Sequence, residues 1–236
     1  MTTPVETQQR DAGAILYLLP FVAFALLMKA RDSETYAYVF EWLPVLGRTI
    51  PSFCLSALLL WVFLLRGGSL ARLGLSWPNF DTTRLQQIRW ILYWAVAILV
   101  MRVLVAVAAG PLLELLPPKI SRSLPLAGDL ALLLTLLPIM WLIVIGEEVL
   151  IRGLLMGYLA RLFGDTTRSW LLAAVISALV FGLGHMGKGE AAMLGSGLGG
   201  LVYGFGYLLC RKNLWPVILA HGAGNTIGFV GAYFSG

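Results

Sequence analysis

The sequence predicts an all-α protein, built as a polytopic bundle of about seven transmembrane helices. Of its 236 residues, 59% are hydrophobic and 12% are charged, and the mean hydropathy is +0.84. A soluble domain carries about twice that fraction of charge. No soluble module interrupts the apolar pattern, so residues 1–236 are expected to form a single integral membrane domain.

Seven stretches are long and apolar enough to be predicted as spans, since a bilayer crossing takes about 17–25 such residues. They are residues 12–28, 49–65, 90–113, 130–160, 169–186, 191–210 and 214–234. The fourth stretch is longer than one crossing needs, so part of it should tilt or extend beyond the lipid. Residues 36–46 could add an eighth helix, lying at the interface.

Charge and cysteine content exclude several function classes. The net charge of +5 is spread over short loops, where Lys and Arg signal membrane topology, so nucleic acid is a poor candidate partner. More basic residues fall in the N-terminal segment and the loops after spans two, four and six, which favours the cytoplasm for that side. Cys54 and Cys210 lie in apolar segments and show no metal-site or disulfide spacing.

Three charged residues lie inside the fourth predicted span, in Gly146-Glu147-Glu148-Val149-Leu150-Ile151-Arg152. A charge at this depth costs about 2.5 kcal/mol or more, so these residues should have a use. Glu148 and Arg152 are four residues apart on one helix face and can form an ion pair. Glu147 is rotated roughly 100° away, which leaves its carboxylate for chemistry.

Both histidines of the chain also fall in apolar spans. His185 ends the stretch Phe181-x-x-x-His185, and His221 begins His221-x-x-x-Asn225, so each pair shares a helix face. At about 1.5 Å per residue, Glu147, His185, His221 and Asn225 lie roughly 15–25 Å from one membrane face. We therefore expect these four groups to surround one water-containing cavity, because isolated core histidines do not explain the coincidence.

Other unusual residues have structural explanations. The glycines of span six, such as Gly195/Gly199 and Gly200/Gly204, are typical of close helix packing, and no strand precedes them to make a phosphate loop. Arg102 divides span three and is expected to be a structural residue buried in the bundle. Glu190, near Lys188, is expected to be a solvated loop charge.

These motifs together resemble those of the CAAX protease and bacteriocin-processing (Abi) family, which includes the type II CAAX prenyl endopeptidases. The family pattern is EExxxR, FxxxH and HxxxN or HxxxD on successive helices, and all three motifs are complete and in order here. The resemblance covers residues 130–234, and residues 130–236 would then form the catalytic core helices. It implies an intramembrane endopeptidase acting on a peptide or protein substrate, with a prenylated CaaX-type peptide as one candidate.

The resemblance and the residues suggest a mechanism. Glu147, the first glutamate of the family motif, would be the general base, with His185 holding and polarising the attacking water. His221 and Asn225 would donate hydrogen bonds to the oxyanion. Glu148, Arg152 and Phe181 would contact these catalytic residues and hold them in position.

Three alternatives remain open from the sequence. His185, His221 and Glu147 could instead be ligands of a catalytic zinc ion. No cofactor is favoured, because Asn225 has an evident oxyanion role and little role as a metal ligand. Intramembrane Glu and His residues also occur in proton-coupled carriers, although no inverted repeat is found here. A non-catalytic immunity protein is the third alternative. In every case the protein is expected to contact the lipid bilayer. That bilayer would be the plasma or inner membrane of a bacterium, or the endoplasmic reticulum membrane of a eukaryote.

Overall fold

A computed structural model of the protein describes residues 57, 58, 60–65, 67–78, 80–117 and 126–235. Within these residues the fold is all-helical and contains no strand, as the sequence predicts. The six α-helices are α1 (Arg84–Glu114), α2 (Leu130–Glu148), α3 (Gly157–Leu162), α4 (Thr167–Leu183), α5 (Glu190–Leu209) and α6 (Trp215–Phe234). Two short 3₁₀ turns, Leu70–Leu73 and Met186–Lys188, precede α1 and α5 respectively.

Helices α2 and α3 are parts of one continuous rod, Leu130–Leu162. The segment that joins them, Val149–Met156, is a π-helix, in which each backbone N–H bonds five residues back. Such segments are rare and occur frequently at functional sites. This one begins immediately after Glu148 and contains Arg152, and sequence reasoning treated it as ordinary α-helix.

Four helices of the described residues are long and apolar enough to cross a membrane: Arg84–Glu114, Leu130–Leu162, Glu190–Leu209 and Trp215–Phe234. They match four of the predicted spans and make the chain an integral membrane protein. The predicted fifth span ends earlier than expected, because α4 is an apolar helix of 17 residues that stops at Leu183. Predicted span 12–28, the interfacial piece 36–46 and most of span 49–65 lie outside the described residues.

The helices alternate in direction. At one end of the bundle, residues from the start of α1, the end of α3, the start of α4, the end of α5 and the loop that enters α6 line a common cavity. At the other end, the Gly128 amide before α2 donates a hydrogen bond to the carbonyl of Tyr233 near the end of α6 (3.0 Å). This arrangement places the junction of α2 and the π-helical segment beside α5 and α6, where Arg152 bonds to Gly200 and Glu148 to His221.

The buried core lies around the π-helical segment, where Val144, Met156, Tyr207 and Ile218 are almost fully enclosed. The outer surface of the bundle is strongly apolar, and α1 in particular exposes Tyr93, Val96, Leu104 and Val107 along its length. A water-facing helix would carry polar residues there, so this surface suits contact with lipid.

The glycines of α5 make close helix packing possible, as predicted. A Cβ at Gly200 would lie 3.1 Å from the Cα of Ala178, and one at Gly204 would lie 3.3 Å from the Cβ of Ala174, both on α4. On the α1 side, a Cβ at Gly199 would collide with the Arg102 guanidinium at 2.6 Å. Arg102 also donates to the Gly195 carbonyl (3.5 Å), so it joins α1 to α5 as a structural residue.

Candidate active site

The predicted ion pair is present at the junction of α2 and the π-helical segment. Arg152 Nη1 lies 3.1 Å from Glu148 Oε1, and both side chains are fully buried. Burial of a charge pair is unfavourable unless further hydrogen bonds satisfy its polar atoms. Here Glu148 Oε2 and Arg152 Nε find no hydrogen-bond partner among the described residues.

The Arg152 guanidinium is held by the neighbouring helices as well as by Glu148. Its Nη2 donates to the Gly200 carbonyl of α5 at 3.1 Å. The guanidinium carbon lies 4.8 Å from the Phe181 ring centre and 5.5 Å from that of Tyr203. These contacts fix Arg152, and through it the position of the Glu148 carboxylate.

His221 on α6 bonds directly to Glu148, which the sequence did not predict. Its Nδ1 lies 2.7 Å from Glu148 Oε1. A carboxylate paired with arginine can only accept hydrogen bonds, so the ring must donate from Nδ1. The other ring nitrogen, Nε2, then faces Glu147 Oε2 at 3.9 Å. The imidazole therefore lies between the two glutamates, in one orientation.

Glu147 differs sharply from its neighbour in accessibility. Its side chain is 33% exposed, whereas that of Glu148 is 0% exposed. The expected rotation between adjacent helical residues thus directs Glu148 into the core and Glu147 to an accessible surface beside His221. Glu147 is the carboxylate of this pair that a water molecule or a substrate can reach.

His185 lies just beyond α4 instead of within a span. The helix ends at Leu183, and His185 precedes the 3₁₀ turn Met186–Lys188. The predicted contact with Phe181 nevertheless forms, with ring centres 4.8 Å apart. His185 Nδ1 also lies 2.8 Å from the Phe181 carbonyl oxygen, which fixes the ring by donation from that nitrogen. Phe181 connects the two histidines, because its ring is 6.0 Å from that of His221.

Asn225 lies one turn beyond His221 on α6 and is half-buried. The four-residue spacing places both side chains on one face of this helix. Its amide forms no hydrogen bond with any part of the chain that the structure describes. The amide is therefore available to a ligand, and no hydrogen bond joins Asn225 to Glu147.

Sequence reasoning missed Tyr203. Its ring stacks on His221 at 4.7 Å between centres and an interplanar angle of 24°, and it is 5% exposed. A tyrosine inside an apolar span gives no signal of its own. Tyr203 lies three residues after Gly200, on the helix whose carbonyl accepts the hydrogen bond from Arg152. Its place in the site follows only from the packing of α5 against the π-helical segment.

The zinc ligand set considered from the sequence does not assemble. Within the described part of the chain, no three His, Cys, Asp or Glu side chains are grouped so that they could hold a metal ion. His221 Nδ1 is engaged by Glu148, so only its Nε2 could bind an ion together with Glu147. A catalytic zinc site needs three protein ligands, and these residues do not fit one.

The fold and the site define an integral membrane protein with a cluster of carboxylate, guanidinium and imidazole groups inside its helical bundle. The family model described as type II CAAX prenyl endopeptidase Rce1-like matches residues 129–227, so the chain carries an Rce1-like domain over that segment. The matched segment contains all three motifs, so the predicted resemblance to type II CAAX prenyl endopeptidases, a family of proteases, is confirmed over residues 129–227. Comparison with curated proteins and with solved structures gives no match.

Proposed function

We propose that the protein is a multi-pass intramembrane endopeptidase that hydrolyses a peptide bond of a membrane-associated peptide or protein. The division of roles between the two adjacent glutamates carries this proposal. Glu148 is enclosed and bonded to Arg152 and His221, whereas Glu147 is accessible beside the same imidazole. A peptidase needs one positioned base that can reach water, held in a rigid framework.

In the proposed reaction, Glu147 removes a proton from a water molecule while His185 helps to hold that water. The water oxygen forms a bond to the scissile carbonyl carbon, which gives a tetrahedral oxyanion. The carbon–nitrogen bond then breaks, and the proton held by Glu147 passes to the departing amine. Glu147 is thereby returned to its ionised form, and no covalent intermediate with the enzyme is formed.

Asn225 and His221 are the proposed donors to the oxyanion. The Asn225 amide has no partner among the described residues and lies on the His221 face of α6. His221 already donates from Nδ1 to Glu148, so it needs a second proton, on Nε2, to donate to the oxyanion as well. A preorganised donor of this kind is worth about 10²–10³ in turnover.

The family match supports a substrate class. The description of the family as type II CAAX prenyl endopeptidase names a prenylated C-terminal peptide, and we propose that this chain accepts such a peptide from the membrane. The apolar surface of the bundle supports the proposal, because a prenyl group partitions into lipid before it reaches the protein.

The test compares the wild type with Glu147→Gln on a farnesylated CaaX reporter peptide, with the protein purified in detergent. The amide keeps the size of the side chain but cannot accept the proton, so cleavage should fall by at least about 10²–10⁴ with folding unchanged. Glu190→Gln is the matched control, because Glu190 is an exposed carboxylate at the start of α5. Full activity of Glu147→Gln would remove this residue from the reaction.

Metal dependence is tested in the same assay. Wild-type cleavage should persist after incubation with a strong chelator, since no step uses a metal ion. Activity that disappears with chelator and returns with stoichiometric zinc would contradict the metal-free mechanism. It would then require His185 and His221 to move together on binding the ion.

A further inference from the structure

A cavity of about 430 Å³ lies at one end of the bundle, apart from the candidate active site. None of Glu147, His185, His221 or Asn225 lines it. Its walls come from the turn before α1, the end of α3, the start of α4 and the loop between α5 and α6. This volume is within the range of small-ligand sites, about 300–1,000 Å³.

The cavity is strongly basic. Its lining includes a single carboxylate, that of Asp165, and four cationic side chains: Arg72, Arg161, Arg211 and Lys212. Asp165 accepts a hydrogen bond from the Trp170 indole at 2.6 Å. None of the four cations forms an ion pair with a carboxylate of the described residues, so their charge is available to an anionic ligand.

Two of the cations are fixed by an uncommon backbone conformation. Arg211 and Lys212 both have positive φ, at 53° and 60°, in the loop that enters α6. Non-glycine residues in this region are strained and persist where surrounding contacts determine them, often at ligand sites. Two contacts hold this loop in place. The Lys212 ammonium lies 3.6 Å from the Trp170 ring centre. The backbone N–H of Leu214 donates a hydrogen bond to the Gly74 carbonyl.

The wall that carries Arg72 is also anchored. Leu73, the next residue, is 1% exposed and packs against Gly153. A Cβ added to Gly153 would lie 3.3 Å from the Cβ and from the carbonyl oxygen of Leu73. The 3₁₀ turn Leu70–Leu73 therefore rests on the π-helical segment. The cationic groups converge from elements that are held in place before any ligand arrives.

The position of the cavity indicates where the ligand comes from. Membrane-crossing helices end at this level, and Trp77, Trp90 and Trp170 line the cavity, as indoles do at a bilayer interface. Large apolar side chains stand exposed at the same end, next in sequence to lining residues: Leu70, Leu162 and Leu209. A phosphate in the cavity could therefore have acyl chains beside it.

We propose that this cavity binds the phosphate group of an anionic phospholipid headgroup. The cations supply charge-assisted hydrogen bonds to the phosphate oxygens, and the exposed leucines contact the acyl chains. The site is separate from the proposed peptidase chemistry, and its binding can be measured without any cleavage assay.

The experiment is native mass spectrometry of the full chain in neutral detergent, titrated with phosphatidylglycerol. The variant Arg211→Asn/Lys212→Asn removes two charges, and asparagine tolerates positive φ, so the loop should keep its conformation. Binding should weaken by about tenfold or more, as for loss of charge-assisted contacts. Arg168→Gln is the matched control, since Arg168 is an exposed cation at the same end that does not line the cavity.

Each outcome decides the proposal. Wild-type affinity in the double variant, or an equal loss in Arg168→Gln, would overturn it in favour of general surface attraction. Displacement of the lipid by inorganic phosphate at concentrations similar to that of the lipid would show that a soluble phosphate is the ligand and would overturn the lipid assignment. If the double variant does not fold, Arg161→Gln carries the same prediction, because Arg161 lines the cavity from α3.

Discussion

At the scale of single residues, Glu148 is the centre of the candidate site. One of its oxygens, Oε1, accepts both Arg152 Nη1 at 3.1 Å and His221 Nδ1 at 2.7 Å. The local pair follows from spacing along one helix, so the sequence could predict it. The bond to His221 joins positions 73 residues apart, and no local pattern reports which of two adjacent glutamates a distant histidine will meet.

The first prediction concerns the buried pair. Arg152→Ala should lose about 3–5 kcal/mol of stability, because Glu148 would remain enclosed without the guanidinium that balances its charge, with only His221 bonded to it. The double variant Glu148→Gln/Arg152→Met should recover much of the thermal stability but not the cleavage activity, since His221 would lose its orienting carboxylate. Thermal unfolding in detergent measures the first effect and reporter cleavage the second.

A control separates this effect from the general loss of a cation. Arg168→Ala removes an exposed arginine on α4 and should leave unfolding and cleavage near wild-type values. An Arg152→Ala protein as stable as the wild type would show that the ion pair contributes nothing to the fold.

Asn225 gives the second prediction at this scale. Asn225→Ala should lower kcat by about 10²–10³ with little change in KM, because the lost donor acts on the oxyanion and not on the bound peptide. Asn225→Asp is expected to retain more activity, as the motif of the family accepts aspartate. Thr226→Ala is the neighbouring control, since the Thr226 hydroxyl bonds to its own helix at Gly222. Unchanged kcat in Asn225→Ala would exclude the amide from the mechanism.

At the scale of elements, the sequence predicts which segments form helices better than it predicts where each helix begins, ends or changes to π geometry. Long apolar runs predict spans because lipid leaves the backbone no other solution. The start of α1 at Arg84, ahead of the expected Trp90, had a readable signal in the Thr83 and Gln86 capping box. The π-helical segment had none, because apolar residues fit α- and π-helix equally well.

The close contact between α4 and α5 gives the third prediction. A Cβ at Gly182 would lie 2.9 Å from the Met193 carbonyl oxygen and 3.1 Å from the Cα of Gly197, both backbone atoms that cannot rotate away. Gly182→Ala should therefore separate the two helices and cost about 1–3 kcal/mol, as overpacking does. Cleavage should fall too, because Gly182 lies between Phe181 and His185.

Gly228→Ala provides the matched control for this substitution. Gly228 lies in α6, and a Cβ added there would have no heavy atom within 4 Å, so alanine fits in open space and improves helix propensity. The melting temperature of this variant should equal or exceed that of the wild type. A Gly182→Ala protein that melts at the same temperature as Gly228→Ala would show that the two helices can separate at Gly182 without cost.

At the scale of the whole molecule, the two ends of the bundle differ in charge. The end with the cavity carries most of the basic residues of the described chain: Arg72, Arg84, Arg89, Arg161, Arg168, Arg211 and Lys212. At the opposite end, the described residues contribute Lys188, which follows α4. Basic residues in short loops favour the cytoplasmic side of a membrane. The candidate active site lies between these two ends, near the middle of the rod Leu130–Leu162.

The last prediction is the orientation that this asymmetry implies. In a variant with Cys54 replaced by alanine, Thr167→Cys places an accessible thiol at the cavity end, and Ala127→Cys places one at the other end, where both positions are exposed. A membrane-impermeant maleimide added to right-side-out vesicles should label Ala127→Cys and spare Thr167→Cys, and inverted vesicles should give the opposite pattern. Cys210 is fully buried and should stay unlabelled in both. Labelling of Thr167→Cys from outside would reverse the orientation, and it would place the basic cavity in the outer leaflet.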